Sequence, residues 1–340
     1  MAKSESIAPH FSVIVPVYNR VDEVEALLSS LKTQTKQNFE IIIVEDGSST
    51  PCRSVCEKYS ADGLNLKYYY KENEGRSIAR NYGMDRANGS YLIFFDSDCV
   101  IPPTYFESIE KSLSENYLDC FGGPDAAHES FSDLQKAINF AMTSFLTTGG
   151  IRGGKHSLEK FTPRTFNMGF STDVFHKVGG FREMFSEDID MSTRIKNAGF
   201  SIGLLADAPV WHKRRLDLKK FFRQVYIFGM SRITLHQLYP GSLKLVHALP
   251  ALAVIFALLF IILGLTISPW WFAPFAVYAV ALFMAALIKT HSIAVSLLAL
   301  PAAFIQIVGY GTGFITAFFR NIILGKGRDV KREIALRKGK

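Results

Sequence analysis

Residues 90–103 read SYLIFFDSDCVIPP. An apolar, β-prone run, Tyr91 to Phe95, ends directly on Asp96-Ser97-Asp98. A carboxylate is costly to take out of water unless something compensates it. The pair therefore either caps a strand at the surface or faces a cation. Earlier stretches decide between the two. FSVIVPVY (11–18), FEIIIVED (39–46) and LKYYYKE (66–72) are also β-prone runs, and DEVEALLSSLKTQ (22–34) and SIARNYGMDRA (77–87) carry apolar residues at helical spacing. Strands apolar on both faces and separated by helices predict an α/β fold, with a mostly parallel central sheet covered on each side. Such sheets bind ligands beyond the carboxyl ends of their strands. The polar endings Asn19-Arg20, Glu45-Asp46-Gly47-Ser48, Asn73-Glu74-Gly75 and Asp96-Ser97-Asp98 would all fall on that edge. Four clusters on one edge favour the cation over four separate caps.

The chain has 340 residues, enough for one large domain or two ordinary ones, and 48% of them are hydrophobic. The net charge of +7 is modest, and no nucleic-acid partner is expected. The polar start MAKSESIAPH lacks the apolar core of a secretory signal, so residue 11 onward is expected to fold in the cytosol. Cys52, Cys56, Cys99 and Cys120 form no CxxC pair and read as reduced packing residues.

Composition changes near residue 243. Ala248 to Ile267, Trp270 to Ile288 and Ser292 to Phe319 are uncharged stretches of 20, 19 and 28 residues. At about 1.5 Å per residue, each can cross a hydrocarbon core of about 30 Å. Trp270 and Trp271 stand at an end, where interfacial aromatics belong. HKRRLDLKKFFRQ precedes the first stretch, and GKGRDVKREIALRKGK, with seven basic residues against two acidic, follows the last. Both basic flanks want the cytoplasm, which requires an even number of crossings, yet there are three segments. Pro301, Gly309, Gly311 and Gly313 make the third segment a candidate for a broken or re-entrant helix. Residues 213–242 mix Phe, Tyr, Ile and Leu with Lys and Arg, as an amphipathic helix in the membrane interface does. The expected domains are a cytoplasmic catalytic domain (1–212), interfacial helices (213–242), a membrane region of two to four crossings (243–319) and a basic cytoplasmic tail (320–340). GGIRGGKH (149–156) approaches a phosphate-binding loop, but it ends in His156 where Ser or Thr would be needed. That stretch reads better as part of a basic lid or acceptor loop.

FSVIVPVYNR, IIIVEDGSST, NEGRSIARNYGMDRANGSYLIFFDSD and SEDIDMSTRIKNAGF together resemble the family 2 glycosyltransferases. The resemblance covers roughly residues 10–212. It implies the GT-A nucleotide-sugar fold, inversion at the anomeric carbon, a nucleotide-sugar donor (usually a UDP-sugar) and a divalent metal, Mn²⁺ or Mg²⁺. Carboxylates and imidazole suit such an ion, which neutralises a leaving diphosphate as a Lewis acid. Asp96-Ser97-Asp98 is similar to the family's DxD motif. By that resemblance Asp98 holds the metal, Asp96 lies near the ribose and metal, and Asp46 pairs with the nucleobase. Pro16 and Tyr18 would line the same pocket, Arg80 would contact base or diphosphate, and His212 would be a further metal ligand. SEDID (186–190) resembles the family's ED motif, with Asp188 as general base and Glu187 as its helper. A hydroxyl is a poor nucleophile and needs such a base. The same acids could instead only stabilise the start of a helix through its dipole.

The Q/RxxRW motif of processive family members is absent, since the comparable place reads RQVYIFGMSR. The expected activity is therefore one sugar addition to a lipid-linked or glycan acceptor, by a multi-pass protein of the cytoplasmic (inner) membrane. A polyprenyl-phosphate glycosyltransferase is the enzymatic rival. A non-catalytic nucleotide-sugar-binding membrane subunit is the rival from another class. A transporter fits poorly, because the spans hold almost no ionisable residues.

Overall fold

A computed structural model describes residues 10–126, 128, 131–149, 161–213 and 217–326. The glycine-rich loop of residues 150–156 and the basic tail beyond residue 326 lie outside the described residues. The chain order opens β1 (Phe11–Val17), α1 (Val21–Lys32), β2 (Phe39–Asp46), α2 (Arg53–Ala61), β3 (Leu66–Lys71), α3 (Arg76–Met84) and β4 (Tyr91–Phe94). Next come β5 (Cys99–Val100), α4 (Tyr105–Glu115), β6 (Cys120–Gly122), β7 (Asp125–Ala126), α5 (Asp133–Thr143) and α6 (Phe145–Thr148). Then follow β8 (Met168–Ser171), α7 (Thr172–Val178), α8 (Glu187–Asn197), β9 (Ile202–Leu204) and β10 (Val210–His212). The last helices are α9 (Leu218–Leu238), α10 (Leu245–Thr266), α11 (Ala273–Thr290) and α12 (Ile293–Ala317). These elements fall into two compact units, one of residues up to 128 with 161–213, the other of 131–149 with 217–326.

The first unit is built on a seven-stranded sheet of order β3-β2-β1-β4-β8-β6-β9. The β1, β2, β3 and β4 pairings are parallel, while β8 runs antiparallel to both β4 and β6. Alternate residues feed two cores. Val13, Val15, Ile41 and Ile43 face a layer holding α1 and α4, whereas Ile14, Ile42 and Val44 face one holding α3 and α8. Burial on both sides explains why these strands read as continuous apolar runs. The four cysteines are free and buried among them.

The second unit differs from the sequence expectation in three ways. Residues 131–149, assigned to the catalytic half by sequence, join the C-terminal helices, because Ala137, Ile138 and Ala141 share one apolar cluster with Ala299, Ala302 and Ala303. Helix α9 also packs more closely than an amphipathic surface helix. A Cβ on Gly313 would come within 2.1 Å of the Tyr226 carbonyl oxygen, and one on Gly229 within 2.1 Å of the Tyr310 carbonyl oxygen. Only glycine allows backbones that near. The third segment is not broken: α12 continues through Pro301. Three segments, 245–266, 269–290 and 293–323, are long and apolar enough to cross a membrane.

Candidate active site

The site lies in the first unit and starts from register. Ile14 pairs with Phe94, Val17 with Glu45 and Asp46 with Lys71. Parallel pairing in this register brings Tyr18, Asp46 and Asp96 to one sheet edge, as the sequence predicts. Past Asp98 the chain becomes β5, and β5 joins a second sheet of order β5-β10-β7. Cys99 pairs with His212, and Val210 with Asp125. That small sheet carries His212 over the acidic motif. His212 Nε2 lies 3.1 Å from Asp98 Oδ1, and its Nδ1 lies 3.9 Å from Asp125 Oδ1. The Phe166 ring stacks on the imidazole at 4.6 Å, and the Lys213 N–H donates to the Asp98 carbonyl at 2.9 Å. The Phe166 ring on its face and a carboxylate near each ring nitrogen restrict the plane of the imidazole. With Nδ1–H turned towards Asp125, the Nε2 lone pair would be available to a cation shared with Asp98.

Cys99 adjoins this pair, its Sγ within 4.8 Å of the Asp98 and His212 ligand atoms. Its contacts are those of a packed thiol. Its side chain is fully buried, burial pushes the thiol well up, and Sγ donates towards the Phe166 carbonyl at 3.6 Å. On the other side stands Glu23, whose carboxyl is pushed up by burial and then by the charge of Asp98. Arg20, which pairs with Glu23 Oε1, opposes both effects.

Arg80 is 1% exposed and sits between the two acidic motifs. Its Nη2 donates to Asp96 Oδ1 at 2.7 Å and its Nη1 to Glu187 Oε1 at 3.1 Å. Arg76 adds a bond to Glu187 Oε2 at 2.8 Å. Burial pushes the Glu187 carboxyl up against the pull of these two guanidiniums. Asp188 follows at the start of α8. Its Oδ1 accepts from the Ile189 N–H at 2.8 Å, and its Oδ2 lies 3.4 Å from Arg164 Nη1. Ser186, before them, has φ 62°, a left-handed conformation that is strained for a residue with a side chain. Asn19, after β1, shares it at φ 53°, and its Oδ1 accepts from Ser49 Oγ at 3.0 Å and from the Thr50 N–H at 3.1 Å.

A family signature described as Glycosyl transferase family 2 matches residues 12–187, more than half of the chain. The chain belongs to glycosyl transferase family 2. Glycosyltransferase AglE of Haloferax volcanii is 26% identical over 262 residues, covering 70% of this chain and 80% of that protein. Glycosyltransferase GlyA of Streptococcus pneumoniae is 39% identical over 108 residues, 32% of this chain and 16% of its own length. Among solved structures, mannosyltransferase PcManGT from Pyrobaculum calidifontis, in complex with GDP-Man and Mn²⁺, aligns over 93% of this chain and 88% of its own with a TM-score of 0.57 and 18% identity. That likeness is one of fold, and the mixed sheet of the first unit is a GT-A sheet.

In this glycosyltransferase several of the expected site residues are held by protein partners. Arg80 is a buried strut between Asp96 and Glu187 rather than an open donor contact, because a guanidinium so deeply buried needs both carboxylates. Glu187 is spent on two arginines, which leaves Asp188 as the more available acid. Asp46 clamps the loop before α3: its Oδ1 accepts from Lys71 Nζ at 2.9 Å and the Glu74 N–H at 3.0 Å, and its Oδ2 from the Gly75 N–H at 2.9 Å. Pro16 lies within β1, and Tyr18 stands 53% exposed just past it. Sequence reading missed Arg76, Asp125 and Arg164. The only signal for Arg76 is its place beside Arg80 in NEGRSIAR, and the other two carry none.

Proposed function

We propose that this glycosyltransferase is anchored in the membrane and transfers one sugar, with inversion, from a nucleotide sugar to a hydroxyl of a lipid-linked or glycan acceptor at the cytoplasmic face. One observation carries the proposal: Arg80 binds Asp96 of one acidic motif and Glu187 of the other, so metal acids and candidate base share one edge of the sheet. The residues present fit a divalent cation. Two ligands of an octahedral ion with bonds of about 2.1–2.2 Å lie about 3.0–3.1 Å apart, and Asp98 Oδ1 and His212 Nε2 are separated by 3.1 Å. Asp98 and His212 would hold the ion, with Asp125 fixing the imidazole and Asp96 turned towards the donor's ribose. A cation held there would supply neutralisation of the departing diphosphate's charge. The donor is expected to be a UDP-sugar, and the GDP-Man and Mn²⁺ complex of the Pyrobaculum protein supports a nucleotide sugar with a metal. Asp188 accepts the proton of the acceptor hydroxyl while that oxygen attacks the anomeric carbon and the nucleoside diphosphate leaves from the opposite face.

Arg164, 3.4 Å from Asp188, favours a second reading. A guanidinium beside the base suits a polyprenyl phosphate, which is already ionised and needs no base. One experiment separates them. Membranes holding the protein are incubated with radiolabelled UDP- and GDP-sugars, and the lipid extract is counted. The proposal expects label that disappears in chelator and falls by about 10²–10⁴ in Asp188→Asn, while donor binding measured by calorimetry persists. Full turnover by Asp188→Asn transfers the assignment to the phosphate acceptor, and turnover undiminished in chelator removes the metal.

A further inference from the structure

The three apolar segments do not behave alike. In the 245–266 and 269–290 segments, 11% of the most apolar window is buried, against 39% in the 293–323 segment. Helix α10 is exposed on nearly every side, from Ile255 and Phe256 to Ile262 and Leu265. Helix α12 exposes an apolar stripe, Ile293, Leu297, Pro301 and Phe304, together with Ala294 and Thr316, and its other residues are buried or half-buried. That spacing of three to four residues is a single helix face.

The direction of α12 follows from what its two ends touch. Val295 and Ala299 share a buried cluster with Leu282 and Ala286 of α11. Sixteen residues after Val295, a Cβ on Gly311 would come within 2.5 Å of the Pro250 carbonyl oxygen of α10, and Phe314 clusters with Ala251. Helices α10 and α11 form a hairpin whose tip is the turn Pro269–Phe272, where the rings of Phe260 and Trp271 lie 5.5 Å apart. At 1.5 Å per residue, Ala286 and Leu282 lie about 6–12 Å from the base of α11, and Pro250 lies about 8 Å from the base of α10. A helix crossing alongside α11 would carry residue 311 about 24 Å onward from residue 295, to the level of the tip. Residue 311 instead meets the base of the other arm. Helix α12 therefore lies across the two bases of the hairpin.

We infer that only α10 and α11 cross the membrane and that α12 rests in one leaflet, its stripe of Ile293, Leu297, Pro301 and Phe304 against acyl chains. This rests on the membrane anchoring proposed above. It resolves the parity of the spans. Two crossings return the chain to its starting side, so the basic residues before α9 and the seven in the last sixteen positions share one face. The charges of the hairpin agree: Lys244 and Lys289 stand at its bases, and Ser268 to Phe272 at its tip carry two tryptophans and no charge. Continuity with the hairpin's lipid-exposed surface identifies acyl chains as the occupant of the stripe.

Single cysteines test this in sealed vesicles of defined sidedness, because the four native thiols are buried. Lys36→Cys reports the side of the first unit, Ser268→Cys the hairpin tip, and Lys326→Cys the segment after α12. Each is treated with a membrane-impermeant maleimide before and after the vesicles are opened. The inference expects Lys326→Cys to label from the same side as Lys36→Cys, and Ser268→Cys only from the opposite side. Labelling of Lys326→Cys from the Ser268 side means that α12 crosses, and overturns the inference while the anchor stands. Release of the full chain by alkaline carbonate overturns the anchor and the inference together.

Discussion

The two units are both tightly packed, but by opposite means. The first unit buries charge. Arg80, Glu187 and Asp190 are at most 2% exposed, and each is matched by ionic partners. The second unit has almost no charge to bury and brings backbones together instead, through Gly229 on α9 and Gly313 on α12. The difference follows the outer surface each unit carries. In water, the hydrophobic effect assembles the sheet and its helices, and polar groups inside it must be paired. Where the outer surface is already apolar, burial of apolar area gives helices little reason to associate, and close packing by small residues takes over. Buried charge therefore marks the unit that carries the candidate site, and small residues mark the unit of the long apolar helices.

The largest way to break this comparison is Arg80→Met. It leaves Glu187 and Asp96 facing each other without their shared cation, and breaking a buried pair costs about 3–5 kcal/mol. Chemical denaturation of the full chain in detergent should show that loss in the first unit. Adding Glu187→Leu should recover part of it, because an apolar pair of similar volume no longer strands a charge. A double variant no more stable than Arg80→Met would mean that Arg80 acts through packing alone.

The matching disruption in the second unit is Gly313→Leu. The side chain would meet the Tyr226 carbonyl oxygen, and overpacking of this kind costs about 1–3 kcal/mol. Thermal melting in detergent should fall, with donor binding at the first unit retained. Unchanged melting would show that α9 and α12 separate without cost.

The smallest effect sharpens the rule about paired charge and tests its sign. Glu40 is 2% exposed on β2. Burial alone would push its carboxyl up, but bonds from Lys67, the Asn88 N–H and Ser12 hold it down to about 2 from an ordinary 4.5. Oε1 accepts from the Asn88 N–H at 2.6 Å and from Ser12 Oγ at 2.7 Å, and Oε2 accepts from Lys67 Nζ at 2.7 Å. A carboxyl that is more acidic folded than unfolded stabilises above its unfolded value and loses that contribution as the pH falls through the folded one. Glu40→Gln should cost about 1–3 kcal/mol near neutrality. The gap between wild type and variant should stay level above pH 4.5 and narrow from pH 4.5 towards 2. A gap that widens on acidification would contradict this ionisation.

Much of the architecture is written locally. Continuous β-prone runs, helices between them and polar endings at Asn19, Asp46 and Asp96 specify a parallel sheet with a loaded edge, because period and composition are properties of neighbouring residues. The uncharged stretches specify the apolar helices in the same way. What tertiary structure decided are meetings across long stretches of chain. Arg80 reaches Glu187 across 107 positions and Arg76 reaches it across 111. His212 stands over Asp98 only because two-residue and three-residue strands pair in one register, and no local pattern encodes a register between segments so short. Hydropathy made the three apolar segments equivalent. What the two ends of α12 pack against was decided only by tertiary structure, since a helix records in its sequence how apolar its faces are but not what they lie against.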